Sequence, residues 1–167
     1  SSFLGAGLIP KDLVGAAERF SDDHSAHAEA IDALTTAAGS EPFTCGNPRI
    51  DELVIPAVLA AITGDTASSI AASDDPSRDA LNVAHALEDL ATETYQAFLP
   101  MLSVPELRRE AMLIAAQEAR HSSLLALAIT GRPRGYVEIF ASAEPPQIPV
   151  AYALPSAFGT LAAITLV

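Results

Sequence analysis

Between Ala111 and Leu127 the chain reads AMLIAAQEARHSSLLAL. Leu107, Ala111, Ile114, Leu124 and Leu125 recur at helical spacing and predict one face of a helix turned to a core. Two polar groups interrupt that face, Glu118 and His121. Residues three apart project from the same side of a helix, so a carboxylate and an imidazole aim together into the core. Burying an uncompensated carboxylate costs several kcal/mol. A metal ion is one natural compensation; a partner side chain is another.

The limits of this helix are written in the chain. Ser103 is a candidate cap, Pro105 suits a first turn, and Glu106 adds favourable charge there. Gly131 and Pro133 stop it after about Ala128 or Ile129. Upstream, Pro76 opens another helix that runs to about Met101, with Ser73, Asp74 or Asp75 as candidate caps. Its face carries Leu81, Ala84, His85, Glu88, Ala91, Thr92, Tyr95 and Phe98. The acidic run SDDPSRD reads as a solvated cap.

A third long helix is predicted from Lys11 to Ala38, opened by Pro10 and closed by Gly39. Leu13, Ala17, Phe20, His24, His27, Ile31 and Leu34 line one face. Ser40–Asn47 reads as a loop containing Cys45. Asp51–Ile62 reads as a short helix interrupted at Pro56, and Thr66–Asp75 as a connector. Residues 132–167, rich in proline, read as an irregular tail with one or two short strands that packs on the helices or on a partner.

The first and last long helices repeat each other. Allowing one extra residue in the first copy, Leu13 aligns with Leu107, Ala17 with Ala111 and Phe20 with Ile114. His24 then falls on Glu118, His27 on His121 and Ile31 on Leu125. Each copy opens with an apolar residue and a proline, then carries two metal-capable residues three apart. This pattern suggests a pseudo-two-fold bundle.

Composition narrows the function classes. The 167 residues are 50% hydrophobic but only 5% aromatic, without Trp, which favours close-packed helices over a β-sandwich. Acids outnumber bases 21 to 9, for a net charge of −12, and Lys11 is the one lysine. Phosphate neutralisation needs a basic stripe, so nucleic-acid binding is excluded, and an anionic membrane surface is disfavoured. Metal cations are attracted. A single cysteine, Cys45, cannot form an internal disulfide. It is either a buried thiol or the partner of a cysteine outside this sequence. The absence of an initiator Met and of a leader suggests a processed or partial chain.

The two segments ALEDLATETYQAFLPML (86–102) and AMLIAAQEARHSSLLAL (111–127) resemble the second half of a ferritin-like bundle. The relatives suggested are the exported ferritin-like domain proteins of bacteria, which implies an extracytoplasmic location. The resemblance covers about Pro10–Leu127. It implies an all-α four-helix bundle over residues 1–131, with three long helices visible and the family's first helix lying before Ser1. That family places one Glu from each of two helices, and Glu-x-x-His from each of the other two, around a pair of metal ions. By position, Glu88 matches a lone Glu, and Glu118 with His121 matches one Glu-x-x-His pair. His24 and His27 stand where the other pair would be, with imidazole replacing a carboxylate.

The implied metal set is therefore His24, His27, Glu88, Glu118 and His121, with His85 and Tyr95 beside it rather than in it. Iron is the leading ion, with manganese or zinc as alternatives, and one ion is as plausible as two. If redox-active, the chemistry is oxygen- or peroxide-dependent metal oxidation. A degenerate version of the fold pairs Glu118 with His27 and Glu88 with His121 instead, as a structural subunit of a larger assembly. A homo-oligomer, or a partner protein covering the surface of the missing helix, is expected in either case.

Overall fold

The computed structural model describes residues 2–44 and 46–130. The expectations for Cys45 and for the tail at 132–167 lie outside the described residues. The fold is all-α, as expected, and no strand occurs among the described residues. Four helices are labelled here: α1 (Val14–Ala37), α2 (Ile55–Thr63), α3 (Pro76–Phe98) and α4 (Pro105–Thr130). A single helical turn, Ser2–Gly5, precedes them. None of the helices is long and apolar enough to cross a membrane.

The chain divides into two compact units, residues 1–80 and 81–167, with the boundary inside α3. In the first unit, a 3-10 turn at Lys11–Leu13 leads into the 24 residues of α1. Gly39 ends α1 as predicted. It adopts φ +80, its N–H donates to the Thr36 carbonyl, and the Ser40 N–H donates to the Thr35 carbonyl. That paired closure satisfies two terminal carbonyls and needs a left-handed residue, which glycine supplies without steric cost. Phe20 and Asp23 are the buried residues of α1.

Pro56 does not interrupt a helix as the sequence suggested. Arg49–Val54 forms a wider π-helical turn that runs directly into α2, with Pro56 in the first turn of α2. Proline has no N–H to return to a carbonyl one turn earlier, so it is tolerated only at such a start. Asn47 holds the π turn by accepting the Arg49 N–H at 3.0 Å on its side-chain oxygen. The connector after α2 is more ordered than expected. Asp65 and Ile70 exchange two backbone hydrogen bonds of 2.8 Å around a tight turn. Gly64, at φ +81, lets the backbone pass Ala72 at a distance no side chain would permit.

The run SDDPSRD is not simply a solvated cap. Asp75 caps α3 by accepting the Arg78 N–H at 3.0 Å. Asp79 is wholly buried. It accepts a hydrogen bond from Ser73 Oγ, and Arg78 Nε reaches it at 3.1 Å while Nη2 reaches Asp74 at 3.0 Å. Charge-assisted bonds of this kind offset the cost of taking a carboxylate out of water.

In the second unit, α3 ends at Phe98 and a 3-10 turn, Leu99–Met101, replaces the last helical turn expected to reach Met101. Pro100 is the cause, since it has no N–H to return to the Gln96 carbonyl one turn earlier. Arg108 of α4 reaches back to the Leu102 carbonyl and closes the turn. The residue before Pro105 is Val104, so the cap position falls there rather than on Ser103; the Val104 carbonyl accepts the Arg108 N–H at 3.0 Å.

The short turn makes α3 and α4 antiparallel neighbours. Buried within this unit are Leu81, Val83, His85 and Glu88 on α3, and Ala111, Ile114, Ala115, Glu118, His121, Ser122, Leu125 and Ala126 on α4. Leu124, expected on the inner stripe, is exposed, and Ser122 takes a place there instead.

Candidate metal centre

The candidate centre within the second unit comprises Glu88 of α3 with Glu118 and His121 of α4. Each residue offers one ligand atom, and these atoms lie within 4.8 Å of one another. All three side chains are buried. His121 Nδ1 stands 3.3 Å from Glu118 Oε2 and 3.4 Å from Glu88 Oε2. Both carboxylates therefore converge on one nitrogen.

The spacing bears on whether an ion fits. Donors bound at about 2.1 Å to a four- or six-coordinate ion stand about 3.0–3.4 Å apart. The two separations fall at the upper end of that range. They are also longer than a charge-assisted N–H···O bond of about 2.7–2.9 Å. Two carboxylates and one imidazole form a donor set suited to iron, manganese or zinc. The residues present fit such an ion.

The other ring nitrogen of His121 is met by Gln117, whose Nε2 lies 3.3 Å from His121 Nε2. Arg120 in turn donates to Gln117 Oε1 at 2.8 Å. The Gln117 contact fixes the plane of the imidazole with Nδ1 facing the carboxylates; as placed, the Gln117 amide donates to Nε2, so an ion on Nδ1 requires the amide turned over, with its oxygen accepting from Nε2–H. Nothing in the sequence singled out Gln117. It sits one helical turn before His121, which is the available clue.

His85 and Tyr95 both lie on α3. His85 Nδ1 faces Asp89 Oδ2 at 3.5 Å, and its Nε2 lies 3.4 Å from Ser122 Oγ. Burial pushes the His85 pKa below its ordinary value, and the Asp89 charge partly opposes that. Tyr95 is half-buried, and its phenol is pushed up, first by burial and then by the negative charge of Glu118. The sequence reading missed Asp89 and Ser122. Both adjoin predicted ligands, but neither type nor spacing marked them out.

His24 and His27 belong to the first unit. They sit one turn apart on α1, with ring centroids 6.1 Å apart. His24 is exposed and His27 half-buried. The buried residue of that turn is Asp23, which Arg19 meets at 2.9 Å.

An all-α chain with a buried Glu, Glu-x-x-His cluster between antiparallel helices defines a ferritin-like protein with a candidate metal centre. The family model described as ferritin-like domain matches residues 2–131, and the chain belongs to that family. No curated protein and no solved structure matches it significantly.

Proposed function

We propose that this ferritin-like chain holds a divalent transition-metal ion, iron in first place, through Glu88, Glu118 and His121. The observation that carries the reading is the convergence of three buried donor atoms within 4.8 Å. His24 and His27 enter as further donors on the strength of the sequence repeat alone. When iron is bound, the centre would supply one-electron oxidation of Fe(II), with oxygen or peroxide as the oxidant. The protein's part is to desolvate the ion, orient His121 through Gln117, and keep Tyr95 protonated beside Glu118. An extracytoplasmic location is part of the proposal, supported by the resemblance to exported relatives, and cell fractionation tests it.

The test is total metal on natively purified protein by inductively coupled plasma mass spectrometry, with protein quantified in parallel. About one or two equivalents of iron or manganese support the reading, and one equivalent of zinc points to a non-redox centre. Absence of metal, before and after reconstitution, overturns it.

A second reading is a non-catalytic subunit of a larger assembly with a degenerate centre. Two observations favour it. His121 Nδ1 faces both Glu88 and Glu118, so an Nδ1–H there would be one donor shared between the two carboxylates without an ion. In addition, α4 leaves Met112, Leu113 and Leu124 exposed at 56%, 50% and 51%, an apolar surface suited to a partner. A metal-free protein that migrates as a complex would favour this reading.

A further inference from the structure

Beside the metal donors, α3 and α4 are joined by a second polar cluster that contributes no donor to the candidate centre. Ser122 Oγ on α4 donates to Asp89 Oδ1 on α3. The same hydroxyl lies 3.4 Å from His85 Nε2, and His85 Nδ1 faces Asp89 Oδ2 at 3.5 Å. The three side chains form a ring of near contacts across the helix pair, in which the Ser122–Asp89 hydrogen bond is the firm link and a neutral His85, with its proton on Nε2, brings no N–H to Asp89. A serine hydroxyl has a single hydrogen. With that hydrogen given to Asp89, Ser122 can only accept from His85, which places a proton on His85 Nε2. Ser122 is 8% and His85 5% exposed, so water competes little for these bonds.

Position gives the ring its significance. Asp89 directly follows Glu88, and Ser122 directly follows His121. Consecutive helical residues differ by about 1.5 Å along the axis and 100° around it. The ring therefore sits at the level of the metal donors, on the adjoining stripe. The other buried residues of these helices in this unit are apolar: Leu81, Val83, Ile114 and Leu125 with Ala111, Ala115 and Ala126. Apolar packing has no direction and tolerates small slides. A slide of one residue, about 1.5 Å, would carry His121 out of reach of Glu88, whereas metal–donor distances tolerate only about 0.2 Å.

We infer that Ser122, Asp89 and His85 form an interhelix clamp that holds Glu88 in register with Glu118 and His121, and so sets the affinity and geometry of the metal centre. The clamp residues act through the donors' positions and are positioning residues. The inference rests on the metal-binding reading above.

The test uses Co(II) as the probe on the full chain, with affinity from chelator competition and geometry from the visible absorption bands. Ser122→Ala is expected to weaken Co(II) binding by about tenfold or more and to change the band intensities, at unchanged helix content. Ser122→Thr, which keeps the hydroxyl, is expected to restore both. Asp89→Asn keeps the volume but weakens the bond to a neutral one, and is expected to fall between. Wild-type affinity and bands in both Ser122→Ala and Asp89→Asn would overturn the clamp. Should Ser122→Ala fail to fold, Asp89→Asn decides alone: an intermediate loss supports the clamp and no loss overturns it. An unmodified protein that takes up no Co(II) overturns the metal reading, and the clamp with it.

Discussion

The Glu88 carboxylate on α3 stands 3.4 Å from the His121 imidazole on α4, with both side chains buried. Glu118 approaches the same nitrogen from one turn earlier on α4. Two carboxylates of like charge are thus held together, and each costs several kcal/mol to bury unless compensated. Whatever fills the space between them, ion or proton, must carry positive charge.

The first prediction follows from that balance. The double substitution Glu118→Ala with His121→Ala should abolish bound metal while leaving helicity intact, because small apolar residues are compatible with the Ala-rich seam. Metal content by mass spectrometry and far-ultraviolet circular dichroism read the two effects. Unchanged metal content would remove these residues from the centre.

Tyr95 reports on the charge of the centre. Its phenol is raised by burial and by the nearby Glu118 carboxylate. Glu118→Gln should therefore bring the Tyr95 titration back down towards the ordinary tyrosine range. Ultraviolet titration of phenolate, with Tyr95→Phe identifying the signal among the three tyrosines, measures it. An unmoved titration would mean that Glu118 carries no charge there.

His85 should make the fold acid-sensitive. Burial lowers its folded pKa below the unfolded value of about 6.5. The unfolded chain then binds the proton more readily, so stability from this residue is present above about pH 6.5 and is lost as pH falls through the folded pKa. His85→Gln should flatten the part of the melting-temperature profile between about pH 7 and 5. A variant with the same slope as the wild type would place the acid sensitivity elsewhere.

Gly64→Ala should destabilise the first unit. The position has φ +81, and an added Cβ would lie 2.9 Å from the Ala72 backbone nitrogen. Strain of this kind costs about 1–3 kcal/mol, readable as a lowered midpoint in urea. The equivalent change at Gly15, where a Cβ meets nothing within 4 Å, should be neutral or stabilising, as it sits inside α1.

Asp79→Ala should also destabilise that unit, by about 2 kcal/mol, since it removes the buried acceptor that Ser73 and Arg78 share. Thermal unfolding checks it. A loss no larger than that of an exposed surface substitution would show that Ser73 and Arg78 find equivalent partners.

Much of this architecture can be read from the chain because it depends on neighbours in sequence. Helix period, Pro10, Pro76 and Pro105 as openers, and Gly39 as a stop follow from local backbone chemistry. Glu118 and His121 were legible as a pair because three residues of helix always bring two side chains to one side. Glu88 was legible as a polar residue on an apolar face. Other features were not legible. Asp79 looked like one more acid in a solvated run, and its burial depends on Ser73 and Arg78 folding over it. The π turn before Pro56 depends on Asn47 reaching two residues along. Asp89, Ser122 and Gln117 carry no mark of type or spacing.

What the sequence determined by itself was therefore the helical stripes of α3 and α4 to within part of a turn, and that Glu88, Glu118 and His121 go inward with them. Periodicity is a property of one helix and needs no partner. Tertiary structure alone decided that Glu88 meets His121, that both carboxylates share one nitrogen, and that Ser122 grips Asp89. Those relations depend on the rotation and axial shift of one helix against another, which the periodicity of either helix alone does not specify.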